Sequence, residues 1–375
     1  MEQNQKKQRI VGLLTFFISG ICAISAGIVV SILQEKYGFA YSMTGTLLSL
    51  MSIGNLMAGF VTGILPGKIG MKKTMAFLTG GYALGYLAMC ISGKVAILIL
   101  AFFIVGIAKG STINCCTILV GDNSKDRTKG MNIMHGCYAM GALLCPFLIA
   151  AALQMTDWLP MAALAVSGLC LWIAFLSVPM EKKQKEKEGR TDWQFLKSTR
   201  FWLLTGLLFC QNAAETSVTG WLVTYFKGSG IISGAFITYT VTVMWGATLI
   251  ARLLIAFVVP LKNAYSSMIK MGIFCTIFYM GLMTATNQTM AIILLFAFAM
   301  AGMNPTAVAS AGKMTSVTSM GVMLPAASSG AILMPWLIGI IAEKFGISTG
   351  MASNIIPCAG MLVFSIAVKR LADRE

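Results

Sequence analysis

Apolar residues run in long blocks separated by short polar gaps, with no alternation of period two, and this pattern governs the reading of the chain. A hydrocarbon core about 30 Å thick needs roughly 20 helical residues per crossing at about 1.5 Å per residue. Twelve blocks reach that length. They lie at about 10–33, 42–65, 74–92, 95–119, 131–153, 159–179, 201–226, 235–260, 264–285, 289–312, 319–342 and 347–368, with ends good to about 4 residues. Lipid offers the backbone no hydrogen-bond partner, so blocks of this length without β alternation become α-helices. The pattern predicts an all-α membrane protein of twelve transmembrane helices. The first block follows Lys6, Lys7 and Arg9 and exceeds a signal-peptide core in length, so it is expected to be retained as the first span.

Composition excludes a water-soluble fold. The 375 residues are 57% hydrophobic and 11% charged, where a soluble domain carries about 25% charge. The net charge of +15 would suit a nucleic-acid partner, but the placement of the basic residues points away from one. Twenty-one lysines and arginines fall at the termini and in every second gap, and four (Lys36, Lys94, Lys227, Lys344) in the other gaps. By the positive-inside rule both termini are cytoplasmic and the protein sits in the plasma membrane. The expected surroundings are the bilayer, a small-molecule substrate and a proton or other coupling ion, with no cofactor, no metal and a monomeric chain. All ten cysteines lie in apolar blocks without C-x-x-C spacing and read as small buried hydrophobes.

The longest hydrophilic stretch, Met180 to Thr199, falls near mid-chain. It suggests a six-helix bundle over 1–180, a basic cytoplasmic linker over 181–200 and a second six-helix bundle over 201–375. An internal repeat supports this division: Gly141-Ala142-Leu143-Leu144-Cys145-Pro146 in span five is echoed by Gly330-Ala331-Ile332-Leu333-Met334-Pro335 in span eleven. Gly54 and Gly246 echo each other more weakly in spans two and eight. Two parallel six-span repeats are the build of transporters that hold substrate between the halves near the midplane.

The gap after span two, Gly63-Ile64-Leu65-Pro66-Gly67-Lys68-Ile69-Gly70-Met71-Lys72-Lys73, resembles the signature loop of the major facilitator superfamily, G-x-x-x-D-[RK]-x-G-[RK]-[RK]. Gly63, Lys68, Gly70, Lys72 and Lys73 fit, and Gly67 replaces the acid. Within that superfamily, span seven is similar to the fucose-permease-type sugar transporters, through Gln211-Asn212-Ala213-Ala214-Glu215 followed by Trp221 and Thr224-Tyr225. Gln211 and Ala213 depart from that group's usual aromatic residue and glycine. The acids that its proton-coupled members carry on spans one and four are missing, and span four offers Lys109. The resemblance implies two pseudo-symmetric bundles with spans one, four, seven and ten lining the cavity.

Ionisable residues inside a span cost roughly 2.5–3.5 kcal/mol on insertion scales, which makes each a functional candidate. They are Lys109, His135, Glu215 and Arg252. Glu215 shares a helix face with Gln211 and Thr219, with Asn212 one turn below. A carboxylate exposed alternately to the two sides could carry a proton, or be permanently paired and fix packing. Lys109 could hold an anionic substrate or neutralise Glu215. Arg252, near the cytoplasmic end of span eight, reads as a gate brace, and His135 as an interface histidine with a pH-sensitive alternative. Asn114 and Asn304 add polarity to spans four and ten. Pro305 is expected to kink span ten, and Pro146 and Pro335 mark spans five and eleven. Trp221 could stack on a sugar or anchor at the outer interface, while Trp158 and Trp202 read as belt residues.

With no P-loop motif in the chain, direct ATP drive is not expected. The leading expectation is a secondary active transporter of a small polar solute, sugar-like and proton-coupled, working by alternating access. The alternatives are an organic-anion or drug exporter of the same fold, a non-transporting membrane sensor, and a membrane-embedded enzyme.

Overall fold

The computed structural model describes residues 2–124, 127–178, 194–255, 263–301, 306–307 and 317–374. Among these no strand occurs, and ten helices are long and apolar enough to cross a membrane. The helices are α1 (Glu2–Ile24), α2 (Ala26–Tyr37), α3 (Tyr41–Ile69), α4 (Met71–Thr79), α5 (Gly81–Ile91), α6 (Val95–Gly121), α7 (Arg127–Leu153) and α8 (Leu159–Leu176). After a 3-10 turn at Gln194–Lys197 come α9 (Thr199–Ser229), α10 (Phe236–Leu253), α11 (Ala264–Met283) and α12 (Gln288–Met300). The last four are α13 (Val317–Ser328), α14 (Gly330–Phe345), α15 (Ile347–Ala352) and α16 (Ile355–Ala372). This agrees with a twelve-span layout in which spans one, three, eleven and twelve are each built from two helical pieces. Large apolar side chains such as Phe77, Ile91 and Ile356 point outward, as lipid-facing residues should.

The joints in these spans have local causes. In span three, Trp172 Nε1 donates to the Ala76 carbonyl at 2.6 Å, taking the acceptor that the helix ladder would offer to Gly80. In span one, the Cys22 carbonyl accepts from Tyr86 Oη at 2.5 Å and from Ser25 Oγ at 2.9 Å, and α1 stops at Ile24. The loop after span two is shorter than the block pattern suggests. Helix α3 continues through Gly63 and Lys68 to Ile69, and only Gly70 breaks it, at φ 85° and ψ 153°, a conformation that favours glycine. Lys68, Lys72 and Lys73 are exposed.

The chain divides into two compact units. One comprises Met1–Phe39 and Leu50–Glu186, the other Ala40–Ser49 and Lys187–Glu375. In the first, α1 packs on α7, α6 and α8, and α5 on α6 and α8. In the second, α9 is central, packed on α16, α14, α13, α15 and α10, while α11 packs on α16 and α12. Ala40–Ser49, which includes the first part of α3, groups with the second unit by its contacts. Gly45 lies so close to α14 that an added Cβ would stand 2.8 Å from the Pro335 carbonyl, and Ser49 Oγ donates to the Ile332 carbonyl at 2.7 Å. Residues 179–193, most of the expected linker, lie outside the described residues.

The internal repeat has a structural counterpart in each unit. A Cβ on Gly141 would stand 2.0 Å from the Phe17 carbonyl oxygen, and one on Gly330 would stand 2.2 Å from that of Phe209. Each glycine lets span five or eleven lie directly against the backbone of span one or seven. Pro146 and Pro335 sit inside α7 and α14, each five residues beyond its glycine, and both are buried.

Candidate functional site

In the second unit the polar stripe of α9 forms as the helical spacing predicts. Gln211, only 3% exposed, donates from Nε2 to Glu215 Oε2 across one turn, and Glu215 is half-buried. Thr219 Oγ1 donates to the Glu215 carbonyl at 2.8 Å and to Met244 Sδ of α10 at 3.8 Å. The stripe is therefore continuous over two turns: an amide orients the carboxylate, and the hydroxyl one turn beyond it, Thr219, is tied to its own helix. Asn212 is half-buried on the same helix, outside this bonded pair.

Trp221 serves neither reading of it. Its side chain is fully enclosed, with Nε1 donating to the Pro335 carbonyl at 3.0 Å and Tyr41 against its ring. A stacking platform or an interface anchor needs an open face. Trp221 instead caps the acceptor end of the span-eleven proline. The belt tryptophans Trp158 and Trp202 are both about half exposed. Arg252 is half-buried near the end of α10, with its Nε lacking a hydrogen-bond partner among the described residues.

The first unit holds Lys109, Asn114 and His135. Lys109 is half-buried on α6, beside a close crossing: a Cβ on Gly106 would lie 2.0 Å from the Met51 carbonyl and one on Gly110 2.5 Å from that of Asn55. Asn114 Nδ2 donates to Thr62 Oγ1 of α3 at 2.7 Å, so this amide braces α3 against α6. The buried hydroxyls of Ser111 and Thr112 have no partner among the described residues. His135 is exposed and edge-on to Phe16, with ring centroids 5.6 Å apart. Asn304 and Pro305 lie outside the described residues. The cysteines are ten free thiols, seven of them buried, but Cys170 is exposed, contrary to the expectation that all are enclosed. Among the described residues no His, Cys, Asp and Glu group could hold a metal.

This arrangement has the makings of transport: a carboxylate oriented by an amide in one compact helical unit, and an intramembrane cation in another. The sequence matches the Major Facilitator Superfamily over residues 12–335. The chain belongs to that superfamily. This major facilitator protein is a transporter by family and not an enzyme. It is 20% identical over 389 residues to Bypass of stop codon protein 6 of Saccharomyces cerevisiae, covering 91% of the chain and 78% of that relative. It is 25% identical to Tetracycline resistance protein, class H, of Pasteurella multocida, over 56% of the chain and little more than half (57%) of that relative's length. Among solved structures it resembles the nucleoside transporter NupG, with TM-score 0.73, 16% identity and 98% of each chain covered. It also resembles the POT family transporter PepTSo, with TM-score 0.77, 9% identity and 98% of each chain covered. Those two likenesses establish the major facilitator fold alone.

Several polar residues of this major facilitator protein escape sequence reasoning. Tyr82 and Tyr86, both fully buried, bond Ser19 Oγ at 2.9 Å and Ser25 Oγ at 2.7 Å. Asn354, also fully buried, donates from Nδ2 to the Ala214 carbonyl at 3.4 Å, one residue from Glu215, and its Oδ1 has no partner among the described residues. An asparagine at membrane depth and two tyrosines at i, i+4 in an apolar helix were the available signals.

Proposed function

We propose that this protein is a proton-coupled secondary transporter of a small neutral polar solute, sugar-like in chemistry, acting by alternating access in the plasma membrane with both termini cytoplasmic. The observation that carries the reading is the Gln211–Glu215 pair: a carboxylate inside a span, with one oxygen held by a buried amide. A carboxylate inside a span is costly to keep there without a role, which makes it the candidate carrier of the coupling ion. The span-seven likeness to fucose-permease-type transporters supports a sugar, and the 21-to-4 bias of basic residues supports the orientation.

The test is uptake into proteoliposomes across a panel of sugars, nucleosides, organic anions and drugs, with and without an imposed proton gradient. Accumulation of a neutral polyhydroxylated solute above equilibrium, only with the gradient, is the expected result. Failure of every solute to accumulate would favour the sensor alternative. Lys109 supports a second reading, organic-anion exchange, because an intramembrane cation attracts an anionic substrate. On that reading Lys109→Ala cripples transport of an anion while sparing a neutral solute.

A further inference from the structure

A groove of about 410 Å³ lies within the second unit, between the start of α9 and the end of α16. Its floor is apolar, formed by Leu203 from α9 and by Val363, Ile366, Ala367 and Leu371 from α16. From Val363 to Leu371 this floor runs about 12 Å along the helix axis. Its rim carries Thr199, Arg370 and Arg374. The two arginines are exposed and one helical turn apart, and neither meets a carboxylate among the described residues. Their neighbour Lys369 is already paired with Asp373. Trp202, adjacent to Leu203, is exposed and donates its indole N–H to the Leu196 carbonyl at 2.8 Å. A tryptophan in that posture marks the depth where headgroups meet acyl chains.

We propose that this groove is a binding site for an anionic phospholipid of the leaflet in which α16 ends. Arg370, Arg374 and the Thr199 hydroxyl would receive the phosphate, and the apolar floor one acyl chain. The charge decides the occupant. A zwitterionic headgroup brings its own cation against two guanidiniums that meet no carboxylate among the described residues, whereas an anionic one complements them, and guanidinium is suited to bidentate contact with phosphate. A soluble anion would use the rim and leave the apolar floor wet. Basic clefts between spans at the cytoplasmic surface are the expected seats of such lipids. The inference is independent of the substrate and of proton coupling, because lipid retention is read without transport.

The experiment is native mass spectrometry of the full chain after incubation with phosphatidylglycerol or phosphatidylcholine of matched acyl chains. The wild type should retain one phosphatidylglycerol in preference to phosphatidylcholine by about thirtyfold. Arg370→Gln/Arg374→Gln, at exposed positions that folding tolerates, should abolish that preference. Leu203→Trp should lower retention of both lipids by filling the floor, and Lys369→Ala/Asp373→Ala, which removes the neighbouring ion pair as a whole, should leave the preference unchanged. Equal retention of the two lipids by the wild type, or undiminished preference in the double variant, would overturn the proposal. So would displacement of the lipid by millimolar inorganic phosphate, which would mark a site for a soluble anion. If Leu203→Trp fails to fold, the arginine pair decides the matter.

Discussion

Spans one and seven hold the same place in the two repeats and have come to do different work. Each is crossed by a partner span through a glycine seated on its backbone, Gly141 over Phe17 and Gly330 over Phe209. There the likeness ends. Span one carries no amide or carboxylate within its apolar block, and its own unit engages three of its hydroxyls: Thr15 with Cys116 Sγ at 3.4 Å, Ser19 with Tyr82, Ser25 with Tyr86. Span seven carries an amide and a carboxylate. The repeat thus preserves how helices pack, which backbone approach dictates, and leaves the ionisable chemistry of the lead helix to one half.

That contrast can be broken at its shared part first. Gly141→Ala and Gly330→Ala each force a methyl against a carbonyl that cannot yield without moving the backbone. Each should cost about 1–3 kcal/mol or more by overpacking, measured by reversible unfolding in mixed detergent. Gly136→Ala, in the same helix as Gly141 but with open space around it, should cost nothing and stabilise by about 0.5–1 kcal/mol. A cost in one half and none in the other would show that the two crossings are not equivalent. The divergent part gives a smaller effect. Gln211→Leu removes the donor to Glu215 and should slow gradient-driven transport about tenfold, as expected for losing a hydrogen bond to a charged group, whereas Ser19→Ala should leave the rate within about twofold. Equal losses would erase the functional asymmetry. Smallest of all, Tyr86→Phe should cost about 0.6–1.5 kcal/mol of stability without altering transport, because its hydroxyl only closes a network inside the first unit.

The sequence reveals the number and placement of spans because desolvation of the backbone leaves a chain this apolar few choices. It also reveals the Gln211–Glu215 pair, since a four-residue spacing on a helix is a contact. What it hides depends on distant partners. The joint at Gly80 is made by Trp172, and the burial of Trp221 by Pro335 and Tyr41, none of which is near in the chain. Asn354 stands out in the sequence only as an asparagine at membrane depth, and its partner, the carbonyl of Ala214, lies far away in the chain. The allegiance of Ala40–Ser49 to the second unit rests on Gly45 and Gly339, glycines that gain meaning only when their helices meet at a Cα separation set by the missing side chains.

The most direct measurement follows pH inside proteoliposomes while a transported solute enters, for the wild type and for Glu215→Gln. Proton influx should accompany solute in the wild type. The variant should exchange solute across the membrane in counterflow yet move no protons and build no gradient. Proton-coupled accumulation that persists in Glu215→Gln would contradict the assignment of Glu215 as the group that carries the proton.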